Sequence, residues 1–421
     1  MEKYTLECGA CGATVERDDP FDFTAPCHEN ALLKARYKKT VLKPRSDLPG
    51  LWKYLDWLPV EYQPEYTFGP VTYKSNTLAN ELGLSNLWLS FNGYFPDLQA
   101  YYKTCTFKEL HAVVAISHAR EKGIDKLVLA SAGNTAVAFI YLAEILKFPV
   151  VLIIPETCMC GVNIPNMLIE HSKVIMLTDG DYSDAIDIAK RLSGIKNYKH
   201  EGGCQNYARR AGLGMPYLDA AVTIGRIPDH YFQAVGSGGG AIAAWEANEL
   251  LIKDGSYGSH LSKLHLSQNL PMTPMLSAWN AGRNYIDPEI DLPKIDNILD
   301  VVAARVLSTK YPCYEVSGGV YDALRATGGM MYGITNDEVY ESKELFKRTE
   351  GPDILPASCV ALTSLIKAVK EKRVRRDDTI LLNLTGAGTE QRLRDLFILQ
   401  MKPAMEITKD ITDDQLKALN V

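Results

Sequence analysis

No window of this 421-residue chain holds the 18 or more continuous apolar residues of a membrane-spanning helix, and the opening "MEKYTLECGA" lacks a charged-then-apolar leader pattern. A cytoplasmic protein with no membrane partner is expected. Positive charge is scarce too. Lys and Arg number 45 against 51 Asp and Glu, a net charge of -6, which argues against a nucleic-acid partner. The basic run "KEKRVRRDD" at 370–378 ends in acids and reads as a solvated helix end. Internal repeats and single-residue tracts are missing, which excludes solenoids and disordered chains. So is an even cysteine count: nine scattered cysteines read as reduced thiols rather than a disulfide framework.

What is present is ordinary for a globular protein, with 46% hydrophobic and 23% charged residues and enough length for two lobes. Residues 1–45 form a turn-rich opening segment. Cys8 and Cys11 make a Cys-x-x-Cys pair, and Cys27 follows at a zinc-ribbon distance, so Cys8, Cys11 and Cys27 are candidate metal ligands. His28 adjoins Cys27, where one metal rarely takes both side chains, and a fourth ligand is lacking on this reading.

From residue 106 the pattern becomes regular. A helical run "TFKELHAVVAISHAREKG" is followed by the strand "KLVLA", the helix "NTAVAFIYLAEILK", the strand "VVLIIP", a helix near 163–171, the strand "KVIMLT" and the helix "SDAIDIAKRL". Further strands are expected at "HYFQAV", "KLHLSQ", "CYEVS" and "TILLNLTG". Apolar strands alternating with amphipathic helices mean α/β lobes with parallel sheets, whose ligands sit beyond the carboxyl ends of the strands.

Three strand-to-helix turns could hold one ligand. "LASAGNTAVA" offers hydroxyls, the Asn134 amide and free helix N–H groups to a carboxylate, and alone it reads equally as an ordinary N-cap. "QAVGSGGGAIAA" lets the backbone wrap a phosphate. Its Gly236, Gly238 and Ala241 also satisfy a dinucleotide pattern, but that reading wants an acid after the next strand, where Ser267, Gln268 and Asn269 stand. "TILLNLTGAGTEQ" puts the Thr385 hydroxyl at a strand end, suited to a heteroaromatic nitrogen that stays unprotonated. Lys108 opens a helix, where a cation is electrostatically out of place. A desolvated amine there has a lowered pKa and suits a Schiff base. His111 and His118, seven apart, read as packing residues, and Cys105 as a small residue shaping the surroundings of Lys108.

The order lysine, carboxylate turn, phosphate loop, hydroxyl turn resembles the fold-type II pyridoxal 5′-phosphate enzymes, and especially threonine synthases. "TCTFKELHA" is similar to their T-G-S-F-K-D-R-G, "SAGNT" at 131–135 to S-S-G-N-T, "GSGGG" at 236–240 to the phosphate cup, and "NYARRAGLGM" to N-P-x-R-x-x-G-Q-K-T. The opening segment resembles the ribbon-like start of archaeal threonine synthases. The resemblance implies a tryptophan synthase β-like architecture of two open parallel-sheet lobes, with a ribbon-like segment at 1–45, a large cofactor lobe at 46–105 and 222–421, and a small substrate lobe at 106–221. It implies pyridoxal 5′-phosphate as cofactor, held by Lys108, Asn134, Gly236, Ser237, Gly238, Gly239, Gly240 and Thr385, with Lys108 catalytic. Ser131, Ala132, Gly133 and Thr135 would take the substrate carboxylate, and Asn206 and Arg209 an anion.

The departures are Cys105, Glu109 and Leu110 in place of Gly, Asp and Arg, and Leu213, Gly214 and Met215 in place of Gln, Lys and Thr. This pattern looks like a threonine synthase relative that makes L-cysteate from O-phospho-L-serine and sulfite on the way to coenzyme M. The alternatives are threonine synthesis from O-phosphohomoserine, a sulfide-using enzyme of the same class, and a non-catalytic phosphate-ligand-binding protein. Association with copies of itself is expected.

Overall fold

The computed structural model describes residues 3–131, 133–196 and 198–421. In chain order, β1 (Tyr4–Cys8), β2 (Thr14–Val15) and β3 (Leu33–Tyr37) form an antiparallel ribbon in the order β2-β1-β3. β4 (Val71–Lys74) and β5 (Leu87–Phe91) start a second sheet. The chain then leaves for a smaller lobe through α1 (Lys108–Glu121), β6 (Leu127–Ala130), α2 (Asn134–Leu146), β7 (Val150–Pro155), β8 (Ser172–Leu177), α3 (Tyr182–Lys196) and β9 (Lys199–His200). α4 (Tyr207–Ile224) brings it back to β10 (His230–Ala234), α5 (Gly239–Asp254), β11 (Lys263–Asn269), β12 (Met330–Ile334), α6 (Pro356–Lys370) and β13 (Ile380–Leu384). β14 (Met405–Ile407) and α7 (Asp413–Ala418) follow.

The large sheet has the order β12-β11-β10-β13-β5-β4, parallel except for β4 against β5. The small sheet, β9-β6-β7-β8-β14, is parallel throughout. Every residue of β7, β10 and β13 is buried, as expected of Val/Ile/Leu strands covered on both faces. No helix among the described residues is long and apolar enough to cross a membrane.

Three expectations are corrected. The helix near 163–171 is absent: Asn163–Pro165 pair as a strand with Ile398–Gln400, and no helix follows through 171. "CYEVS" at 313–317 is not a strand, and the missing strand is β12. The large lobe does not run to 421, because β14 pairs with β8, and Ile407, Ile411, Leu416 and Val421 close the small-lobe core with Ile175 and Ile188.

Candidate active site

Lys108 is the first residue of α1, and the turn before it is tied to the end of β13. The Phe107 N–H donates to the Thr385 carbonyl (3.1 Å), the Ala387 N–H donates to the Cys105 carbonyl (3.0 Å), and Thr106 bridges Gly386. Cys105 holds φ +58°, a left-handed conformation costly for a residue with a Cβ. Glu109 fastens the same turn. Its fully buried carboxylate accepts the Thr104 N–H (2.6 Å) and the Tyr66 hydroxyl (2.9 Å), while burial pushes its pKa up to about 7. The amine and the hydroxyl turn, 277 residues apart in sequence, are thus stitched by backbone hydrogen bonds.

The Lys108 amine lies 4.6 Å from the Phe107 ring centre, and its pKa falls to about 7, first through burial and then through the positive charge of Arg209. At neutral pH a large share of it is the free base. α1 packs closely on α4, where a Cβ on Gly212 would stand 2.4 Å from the Leu110 carbonyl oxygen.

The glycine turn follows β10. Gly238, at φ +88°, caps α5 and frees the first helical N–H groups. Side chains are excluded here: a Cβ on Gly238 would meet Val320 Cγ2 at 2.3 Å, and one on Gly240 would meet Gln233 Nε2 at 2.5 Å. The Ser237 carbonyl accepts the Cys313 N–H (2.9 Å). On the open side, the Cys204 sulfur lies 3.4 Å from where a Gly239 Cβ would be. Cys204 is also among the groups acting on Lys108, so it lies near both the amine and the glycine turn. A hydrogen bond from Cys313 and the neighbouring Arg210 and Arg209 lower its thiol pKa, against burial.

At the third turn, Ser131 Oγ accepts the Ala136 N–H (2.9 Å), and α2 opens at Asn134 with Thr135 behind it. Ala132 lies outside the described residues. Val306 Cγ1 would touch a Gly133 Cβ at 3.2 Å, and the Val306 carbonyl oxygen a Gly236 Cβ at the same distance, so one segment spans the carboxylate and glycine turns. Arg209 pairs with the buried Glu201 (2.6 Å) and reaches Thr135 Oγ1 (3.5 Å). Burial opposes its charge, yet Glu201 and Tyr182 raise its pKa.

Asn206 is committed elsewhere. Its oxygen accepts the Ala208 and Arg209 N–H groups and its amide donates to the Glu201 carbonyl, which makes it the N-cap that aims Arg209. Arg210 is fully buried, held by Glu246 and by the Cys204, Gln205 and Leu33 carbonyls. Lys103 lies over the Tyr94 ring, 4.7 Å from its centre. His118 shares hydrogen bonds with Tyr4 and Tyr207, and His111 packs near Phe139. Glu201, Cys204 and Val306 escaped the sequence reading, since no motif marks them.

A family model described as "Pyridoxal-phosphate dependent enzyme" matches residues 73–386. Cysteate synthase of Methanocella paludicola is 46% identical over 97% of this chain and 95% of its own length, and that of Methanosarcina mazei 43% identical over 99% and 100%. Among solved structures, maize serine racemase superposes with TM-score 0.57 at 15% identity over 75% of this chain and 87% of its own, and an aspartate racemase with TM-score 0.58 at 14% identity over 76% and 89%. The latter two speak for the fold alone. By its family model and its near-full-length relatives, the chain belongs to the pyridoxal-phosphate dependent enzymes and, among them, to the cysteate synthase family.

Proposed function

We propose that this chain converts O-phospho-L-serine and sulfite to L-cysteate and phosphate. The reading is carried by one observation: the Lys108 amine, stripped of much of its charge by burial and by Arg209, stands at the turn that bears Thr385. The choice of substrates is supported by the 46% identity to a cysteate synthase.

The residues fit pyridoxal 5′-phosphate. An uncharged amine suits its aldehyde, the glycine-rich cradle at Gly236, Ser237, Gly238, Gly239 and Gly240 suits its phosphate, and the buried Thr385 offers its ring nitrogen a neutral hydroxyl. When bound, the cofactor supplies an electron sink that labilises the α-proton and the β-substituent of an amino acid. Lys108, as free base, accepts the proton from Cα and returns it at the end. Asn134 would contact the ring hydroxyl. The turn Ser131, Gly133, Thr135 receives the carboxylate, and Ser131, whose oxygen already accepts the Ala136 N–H, is oriented to donate its own hydrogen.

Arg209 attracts first the phosphate that leaves and then the sulfite that replaces it, two anions of similar shape. Asn206 serves by fixing the backbone beneath that arginine. A cytoplasmic location and association of copies accompany this reading.

Incubation of the holoenzyme with phosphoserine and sulfite should release phosphate and yield cysteate in equal amounts, with little release from O-phosphohomoserine. Threonine from phosphohomoserine at the higher rate would overturn the substrate assignment. A protein that takes up no borohydride-sensitive visible chromophore would overturn the enzyme itself.

A further inference from the structure

The N-terminal ribbon lies outside this site and carries four side chains with metal-binding atoms. Cys8, Cys11, Cys27 and His28 each present one such atom, and all four lie within 4.8 Å of one another. Cys8 Sγ is 3.7 Å from His28 Nδ1, and Cys11 Sγ is 3.5 Å from Cys27 Sγ. In a tetrahedral zinc site with Zn–S of about 2.3 Å and Zn–N of about 2.0–2.1 Å, neighbouring ligand atoms stand about 3.6–3.8 Å apart. Two edges of that tetrahedron are already near length, and the rest close by about 1 Å of side-chain rotation.

The backbone shows why adjacent residues can share the cluster. Ala25 to His28 form a tight turn closed by the His28 N–H on the Ala25 carbonyl (3.2 Å), which swings Cys27 and His28 to one side. Opposite, the Gly12 N–H closes on the Cys8 carbonyl (2.9 Å) with Gly12 at φ +72°. The Cys8 N–H donates in turn to the Ala13 carbonyl (2.9 Å), so the knuckle folds Cys11 back beside Cys8.

The ribbon touches both lobes. The Gly9 N–H donates to the Leu32 carbonyl (2.7 Å), the Leu32 N–H to Ser317 (2.9 Å), and four residues before Ser317 the Cys313 N–H reaches Ser237 of the glycine turn. On the other side Asp19 pairs with Lys199 (2.7 Å), and the Phe23 ring fills the space beside Gly202.

We propose that Cys8, Cys11, Cys27 and His28 bind one Zn²⁺ tetrahedrally, a structural ion that clasps the ribbon against both lobes. The binding displaces protons from the three thiols and takes His28 as the neutral imidazole. The test begins with elemental analysis of the full-length holoenzyme purified under reducing conditions, then replaces the ion with Co²⁺. One zinc per chain, a tetrahedral cobalt spectrum with sulfur-to-metal charge transfer, and a lower Tm after chelation are expected. His28→Ala should weaken zinc binding more than tenfold, while His260→Ala leaves it unchanged. Iron in place of zinc, a Cys11–Cys27 disulfide in reduced preparations, undiminished binding by His28→Ala, or an unmoved Tm after chelation would each overturn the proposal. The cobalt titration of the unaltered chain decides the matter even if a variant misfolds.

Discussion

At the scale of single residues the proposed chemistry would rest on an amine that burial and Arg209 deprive of much of its charge. Lys108 has a folded-state pKa below its unfolded value of 10.5, so its contribution to stability is intact above 10.5 and is lost as pH falls toward about 7. In the cofactor-free protein, Lys108→Met removes that penalty. Its Tm advantage over the unaltered chain should grow as pH drops from 10.5 to 7 and level off below, as thermal melts across that range would show; a pH-independent difference would contradict the buried amine. In the holoenzyme, Lys108→Ala should lower sulfite-dependent cysteate formation by about 10²–10⁴-fold or more. Lys108 stood out in the sequence because its neighbours match a known pattern. Glu109 did not, since its worth comes from Tyr66, 43 residues upstream, and from a backbone N–H that no residue type announces.

At the scale of elements the reading succeeded where a strand is buried on both faces, as in β7, β10 and β13, because continuous apolar runs leave few alternatives. It failed at 313–317 for an instructive reason. Tyr314 and Val316 are buried and Glu315 is exposed, which is strand-like alternation, but the backbone hydrogen bonds go to the glycine turn and the ribbon, and no ladder forms. Met330–Ile334, flanked by glycine and carrying two methionines, has the ladder without the signal. α4 meets α1 closely at Gly212, where a Cβ would stand 2.4 Å from the Leu110 carbonyl oxygen. Gly212→Ala forces the Leu110 backbone away and should cost about 1–3 kcal/mol by denaturant unfolding, with a larger loss in kcat than in stability, because Lys108 moves with α1.

At the scale of the molecule, the small lobe is an insertion between β5 and β10 of the large sheet, and its fifth strand arrives from beyond β13. That last crossing was invisible in the sequence, because β14 is three residues long and owes its place to β8. Removal of residues 405–421 uncovers the β8 edge and strips Ile407, Ile411, Leu416 and Val421 from the core, each worth about 1.5–3 kcal/mol when fully buried. Limited proteolysis should then cut within 126–200 while the large lobe resists; equal resistance of both lobes would contradict the shared core. The large sheet also fixes a length. β10 and β13 are neighbours, paired from His230 with Ile380 to Phe232 with Leu382, so the turns that leave them open like the jaws of a caliper set by one inter-strand step of about 4.8 Å. No side-chain change resets that gauge. On the proposed assignment of the glycine turn to the phosphate and of Thr385 to the ring nitrogen, a vitamer without its phosphate would press on one jaw only, and the sheet itself would sort phosphorylated from unphosphorylated forms before any reaction begins.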